Sequence, residues 1–195
     1  MLTTKSSTKL ILASQSPRRQ ALLKAMDLDF QVMVKPVDET FPQHIPTEKM
    51  AEYLAEKKAD AFDFSELSSD TTLIACDTVV IIDDEILGKA ENQDEAIAML
   101  KKLSGRKHSV MTGVCIKTST QKKLFSETTF VYFKNLTDEQ IRYYVETYKP
   151  FDKAGAYGIQ EWIGLVGIER IEGCYYNVMG LPTAKLATKL QDLTN

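Results

Sequence analysis

The chain has 195 residues, enough to bury one substantial core as one domain or two closely joined lobes. Its 24 Lys and Arg against 27 Asp and Glu give a net charge of −3, without the basic footprint expected of a general nucleic-acid binder. Three cysteines without a CxxC pair read as reduced thiols, no window approaches a membrane span, and the early apolar run is too short for a secretory leader, so a soluble cytoplasmic protein is expected.

In chain order, Lys9 to Ala13 reads as a short apolar strand and Gln20 to Met26 as the body of a helix. Between them, Ser16 suits the N-cap and Pro17 the first helical position. Phe30 to Val37 reads as a second strand, and Thr47 to about Phe62 as an amphipathic helix capped by Thr47, with Met50, Leu54 and Ala61 turned inward. A polar connection, Asp63 to Asp70, leads to Thr72–Ile82, a strand apolar on both faces and therefore central. Asp83-Asp84 turns the chain back into Ile86 to Lys89, and Asp94 to Leu103 is a helix closed by Gly105. Ser109 to Lys117 and Leu124 to Phe133 are strands joined by a short turn, and Thr137 to Gln140 is a capping box that opens a helix ending before Pro150. The glycine-bearing loop Asp152 to Gln160 follows, then a hairpin of Leu165–Ile171 with Cys174–Val178, and a last helix begun by Pro182. Early alternation of helix and strand, with hairpins later, specifies an α/β protein with a mixed, twisted central sheet flanked by helices and additional β-hairpins.

Chemistry concentrates in a few places. Arg18 and Arg19 stand in the first turn of a helix, where the macrodipole disfavours cations by roughly 0.3–1 kcal/mol each. An anion there would be held by free N–H groups and both guanidinium groups; the alternative is that both side chains simply reach into solvent. Asp77 lies inside the apolar run Leu73 to Ile82, and a carboxylate that loses water there needs a cation, a metal or good hydrogen bonds. It is read as functional, against a purely structural pairing with a lysine or a backbone amide. Asp38-Glu39 is by itself an ordinary turn after Val37, but a strand-end carboxylate beside Asp77 would suit Mg²⁺. Lys57-Lys58 and Lys89 could neutralise phosphate, though surface exposure is the rule for a lone lysine. Asp83 to Ala90 has the spacing of a P-loop, but Asp83 and Ala90 replace its first glycine and its Ser/Thr, which excludes a Walker-type ATPase. Gln160 could face water; its amide edge also complements the imide edge of uracil or thymine. Only two histidines, His44 and His108, leave little scope for a His-based triad or a His/Cys zinc cluster.

Taken together, Leu12 to Arg19, Asp77 to Val80, Gly88-Lys89, Leu103 to Arg106, Asp152 to Gln160 and Val178 to Pro182 resemble, in order, the motifs of the Maf family of nucleotide pyrophosphatases. The resemblance covers nearly the whole chain and implies one Maf/ITPase-like domain over residues 1–195. It implies hydrolysis of a nucleoside triphosphate between the α- and β-phosphates with a divalent cation, Mg²⁺ or Mn²⁺. Asp77 falls on the proton acceptor, and Arg18, Thr78 and Gln160 on positions linked to substrate choice. Ser14, Arg19, Lys58 and Lys89 are expected to bind phosphate, and Glu39 and Asp77 to hold the metal. The AYGIQ sequence resembles the branch acting on dTTP and UTP, with modified pyrimidine triphosphates as further candidates. A 7-methyl-GTP- or inosine-type pyrophosphatase, or a non-catalytic nucleotide-binding regulator of division, are the alternatives. The family also allows for a homodimer. The chain departs from the family pattern at Ala90 (usually Pro), at Cys76 (commonly Gly) and at Glu161-Trp162, where glycine usually follows the glutamine.

Overall fold

The computed structural model describes residues 9–40, 42 and 45–193; His44 lies outside them. The strands are β1 (Lys9–Leu12), β2 (Gln31–Val32), β3 (Thr71–Ile82), β4 (Glu85–Leu87), β5 (Lys107–Lys117), β6 (Lys122–Phe133) and β7 (Ile168–Glu172). The helices are α1 (Pro17–Ala25), α2 (Met50–Asp60), α3 (Gln93–Leu103), α4 (Asp138–Tyr148), α5 (Trp162–Gly167), α6 (Tyr175–Val178) and α7 (Thr183–Gln191). The strand order is β2-β1-β3-β5-β6-β7, with β4 on β3. β1 runs parallel to β2 and β3, whereas β4 and β7 are antiparallel to β3 and β6. The sheet is therefore mixed, as the sequence pattern specifies.

The chain forms two compact units. The first comprises Met1–Asp77, Thr112–Glu127 and Gly180–Asn195, and the second Thr78–Met111 and Thr128–Met179. The division falls within β3, between Asp77 and Thr78, and also within β5 and β6.

In the first unit, β1 and the leading half of β3 pair in register from Lys9↔Thr71 to Leu12↔Ile74. Alternate residues Ile11, Ala13, Leu73 and Ala75 form a core with Ala55, Ala59 and Phe62. Ala51, Ala55 and Ala59 recur every four residues on α2 and are fully buried, a stripe of small side chains that lets the helix lie close to the sheet. Gly113 on β5 completes the fit: a Cβ there would stand 2.1 Å from the carbonyl oxygen of Ala51. This close approach sets the height of α2, and of Lys58 upon it, over the strands.

The second unit packs Val80, Ile82 and Leu87 against Leu100 and Leu103 of α3 and Ile141, Tyr144 and Val145 of α4. The β3–β4 turn uses Asp83 and Asp84 with φ of 52° and 60°, the two positive values a type I′ hairpin turn requires. That hairpin is not a phosphate-cradling loop. The capping box of α4 forms as expected, with Thr137 and Gln140 bonded reciprocally. His108 is buried on β5 and packs on Phe133 and Tyr157, with Nε2 2.8 Å from the Tyr157 hydroxyl and Nδ1 lacking a hydrogen-bond partner.

Three local expectations are corrected. The second strand is only Gln31–Val32, because its partner β1 ends at Leu12 and Pro36 has no N–H to extend a ladder. Thr47 does not cap α2: a 3₁₀ turn, Thr47–Lys49, follows Pro46 and leads directly into Met50. The late hairpin does not form. Trp162–Gly167 is helical, β7 pairs with β6, and Cys174 to Val178 turns away as a short helix. The exchange of hydrogen bonds between Thr129 Oγ1 and the Cys174 backbone holds that turn, a tertiary contact that strand propensity cannot register.

Two predictions follow from this packing. Gly113→Ala forces methyl against main-chain atoms that cannot rotate aside, so stability measured by urea denaturation falls by ~3 kcal/mol, the upper end for overpacking. For His108, burial pushes the pKa down from 6.5 to about 4. Between these values the unfolded chain takes up a proton and the folded one does not, so stability falls as pH drops through that window, by about 3 kcal/mol in full. Denaturation of wild type and His108→Gln at pH 7 and pH 4.5 checks this; the variant shows the shallower decline.

Candidate active site

The N-terminal motif folds as its residue types dictate. Ser16 caps α1, its hydroxyl accepting the Arg19 N–H at 3.5 Å, and Pro17 begins the helix. Arg18, half-buried, and Arg19 occupy the next two positions of the first turn. Arg19 is folded inward. Its Nε donates to the Gly180 carbonyl at 2.8 Å, and its Nη1 donates to the Cys76 carbonyl at 2.9 Å and to Ser14 Oγ at 3.1 Å. Ser14 Oγ also accepts the Ser16 N–H at 3.2 Å. One guanidinium thus joins the strand-to-helix loop, the residue before Asp77 and the turn before α7, so it organises the site as well as charging it.

Asp77 lies on β3, and its side chain retains 13 % exposure. Its Oδ1 accepts from the Lys58 ammonium, which also stands 2.9 Å from Glu39 Oε1. Asp77 Oδ2 accepts no side-chain hydrogen bond among the described residues. Lys58 is the third turn's contribution from α2 and is only 18 % exposed. Residue-type statistics favour a surface role for any lone lysine, and here the tertiary packing overrides them. Lys57 follows the statistics: it bonds the Thr40 carbonyl and approaches Asp38 near the surface. Asp38 forms the expected turn, accepting from the Thr40 N–H and hydroxyl, which lowers its pKa. The adjacent Glu39 is the carboxylate that reaches Lys58.

The second unit holds the remaining predicted residues. Thr78, half-buried, follows Asp77 on β3. Lys89 and Gln160 are exposed, and neither side chain makes a hydrogen bond or ion pair among the described residues. They belong to one local assembly, because Lys89 bridges antiparallel to Ala154 and the Gly155 N–H donates to the Gly88 carbonyl at 2.9 Å. Gly155 has φ +68° and lies against the Val80 methyl groups, which explains the glycine.

Predicted residues thus gather into two groups. Arg19 contacts Ser14 and the Cys76 carbonyl, next in the chain to Asp77, and Lys58 joins Asp77 to Glu39, with Arg18 on the same helical turn as Arg19; Thr78 follows Asp77 on β3, and Lys89, just beyond β4, bridges to Ala154 near the start of the loop carrying Gln160. Three residues were given no role by the sequence. Lys153, only 7 % exposed, Glu161 and Tyr144 form a hydrogen-bonded cluster behind the Gln160 loop. A lysine embedded among Ala and Gly between Asp152 and Tyr157 was the available signal. The pairing with Glu161 was not readable, since it depends on how the loop folds back.

Asp77 and Glu39 carry the kind of oxygen donors that Mg²⁺ or Mn²⁺ take, but the Lys58 ammonium stands between them, and among the described residues no group of three or more His, Cys, Asp or Glu gathers as a metal site. Among the described residues no helix is long and apolar enough to cross a membrane, and Cys76, Cys115 and Cys174 are free thiols.

The family model described as Maf-like protein matches residues 9–193. A Flavobacterium psychrophilum protein named dTTP/UTP pyrophosphatase is 51 % identical over 180 residues, covering 92 % of each chain. A Porphyromonas gingivalis protein of the same name is 48 % identical over 194 residues, covering 98 % of each. Among solved structures, the Staphylococcus aureus Ham1 protein superposes with a TM-score of 0.55 over 95 % of this chain and 100 % of its own, at 16 % identity, a likeness of fold alone. With the motifs in order, the mixed sheet in place and a family model spanning nearly every described residue, the chain belongs to the family of Maf-like proteins.

Proposed function

We propose that this protein hydrolyses dTTP and UTP between the α- and β-phosphates, releasing a nucleoside monophosphate and pyrophosphate, and that residues 1–195 act as a single cytoplasmic pyrophosphatase domain. The names of the relatives at 48–51 % identity support the substrate class. The observation that carries the chemistry is the convergence of Asp77 and Glu39 on the Lys58 ammonium.

Asp77 serves as the proton acceptor for the attacking water. Lys58 holds one carboxylate oxygen, which leaves Oδ2 to take the proton. Glu39 and Asp77 would hold Mg²⁺ or Mn²⁺, which supplies charge neutralisation on the phosphates when bound. Ser14, Arg19, Lys58 and Lys89 bind phosphate. For Arg19 this role is joined to the anchoring described above, since its inward hydrogen bonds fix the helix start whose N–H groups attract an anion. Arg18, Thr78 and Gln160 select the nucleotide. The exposed Gln160 amide, without a hydrogen-bond partner among the described residues, is suited to pair with the O4 and N3–H of a uracil or thymine ring.

A panel of nucleoside triphosphates with Mg²⁺ or Mn²⁺, following pyrophosphate and orthophosphate separately, tests the reading. UTP and dTTP are turned over fastest with pyrophosphate released; a purine triphosphate hydrolysed far better, or orthophosphate alone, refutes it. Asp77→Asn retains the shape of the side chain and lowers kcat by about 10²–10⁴, the span of a general base. Near-wild-type turnover by that variant removes Asp77 from the mechanism.

A further inference from the structure

The loop that carries Gln160 is braced from behind by charges that the proposed reaction does not use. Glu161 accepts from the Tyr144 hydroxyl through Oε2 and faces Lys153 Nζ at 3.0 Å through Oε1. Lys153 is almost entirely buried and also contacts Asp152 at 2.7 Å. A buried ammonium with poor partners is strongly disfavoured, so Glu161 is required wherever Lys153 stays inside. The Tyr144 oxygen also accepts the Gly158 N–H at 3.0 Å. Tyr144 is itself fully buried on α4, so its hydroxyl is a fixed point of the core. Gly158 fits because the ion pair lies against it: a Cβ there would meet Glu161 Cδ at 2.9 Å and Lys153 Cε at 3.1 Å. Loop residues on both sides of Gln160 are therefore tied to one rigid cluster, although Gln160 itself is exposed.

This bracing has a chemical use. A glutamine amide presents a donor and an acceptor side by side, and rotating it by half a turn exchanges them. In one orientation it pairs with the O4 and N3–H of uracil; in the other it pairs with the N4 amino group and N3 of cytosine. A glutamine on a loose loop therefore discriminates poorly between UTP and CTP. We propose that Glu161, held by Tyr144 and Lys153, is a positioning residue that fixes the Gln160 loop and thereby sets selectivity for the uracil and thymine edge over the cytosine edge. The inference rests on the reading of Gln160 as the base-selecting residue.

The test uses the full chain with Tyr144→Phe and Glu161→Gln. The first removes one oxygen from the buried cluster; the second removes the charge that faces Lys153 and keeps the side chain's size. Both are expected to raise KM for UTP about tenfold with kcat within about twofold, and to shrink the kcat/KM ratio of UTP to CTP by a similar factor. Hydrogen exchange at the Gly158 amide reports the brace directly, and its protection is lost in Tyr144→Phe. An unchanged UTP:CTP ratio in both variants overturns the positioning role, as does a fall in kcat with KM unaltered. A wild-type enzyme that shows no preference for UTP or dTTP sinks the base-selecting reading itself, so the two failures are told apart by the wild-type panel.

Discussion

The contact on which the candidate site depends is the one between the Lys58 ammonium and the carboxylates of Asp77 and Glu39. Asp77 sits in a strand whose neighbours Ala75 and Cys76 are completely buried, so an isolated negative charge there would be costly. Lys58 offsets that cost from α2, which the alanine stripe and Gly113 let lie close over the strands. An apolar packing solution thus places a polar group. Glu39, from the segment between β2 and α2, brings a second carboxylate to the same ammonium.

The first turn of α1 shows a related economy of charge. A cation at a helix N-terminus is disfavoured by the macrodipole, but Arg19 turns away from it and meets the carbonyls of Cys76 and Gly180. Those acceptors offset the unfavourable position and tie the strand-to-helix loop to the residue preceding Asp77. The arrangement leaves the capped start of α1 intact while tying it to β3 and to the turn before α7.

The second unit applies the same logic to a loop. Lys153 is buried because Asp152 and Glu161 accompany it, and Tyr144 connects that cluster to the core of α4. Burial first, and the Glu161 carboxylate second, push the Tyr144 hydroxyl pKa upward, so it remains a donor across the physiological range. The loop is held by charge and hydrogen bonds as well as by the isolated β-bridge between Lys89 and Ala154.

Much of this was legible in the residues. The Ser16 cap with Pro17, the central character of Thr72–Ile82, the capping box at Thr137 and the mixed α/β class all follow from local rules of side-chain geometry and hydrophobic period, which a short window contains. Asp77 was conspicuous because a charge interrupts an apolar strand. The extent of β2, the helical fate of Trp162–Gly167 and the entry into α2 at Met50 were not legible, because each depends on which partner strand or backbone lies alongside. The same holds for the polar partners. The sequence by itself determined which groups must be neutralised, since burial of a charge is written in its apolar neighbours. Only the tertiary structure decided that Lys58 and not Lys57 meets Asp77, and that Glu161 meets Lys153, because such pairings join residues far apart along the chain or folded back within a loop, where helical phase and close packing choose the partner.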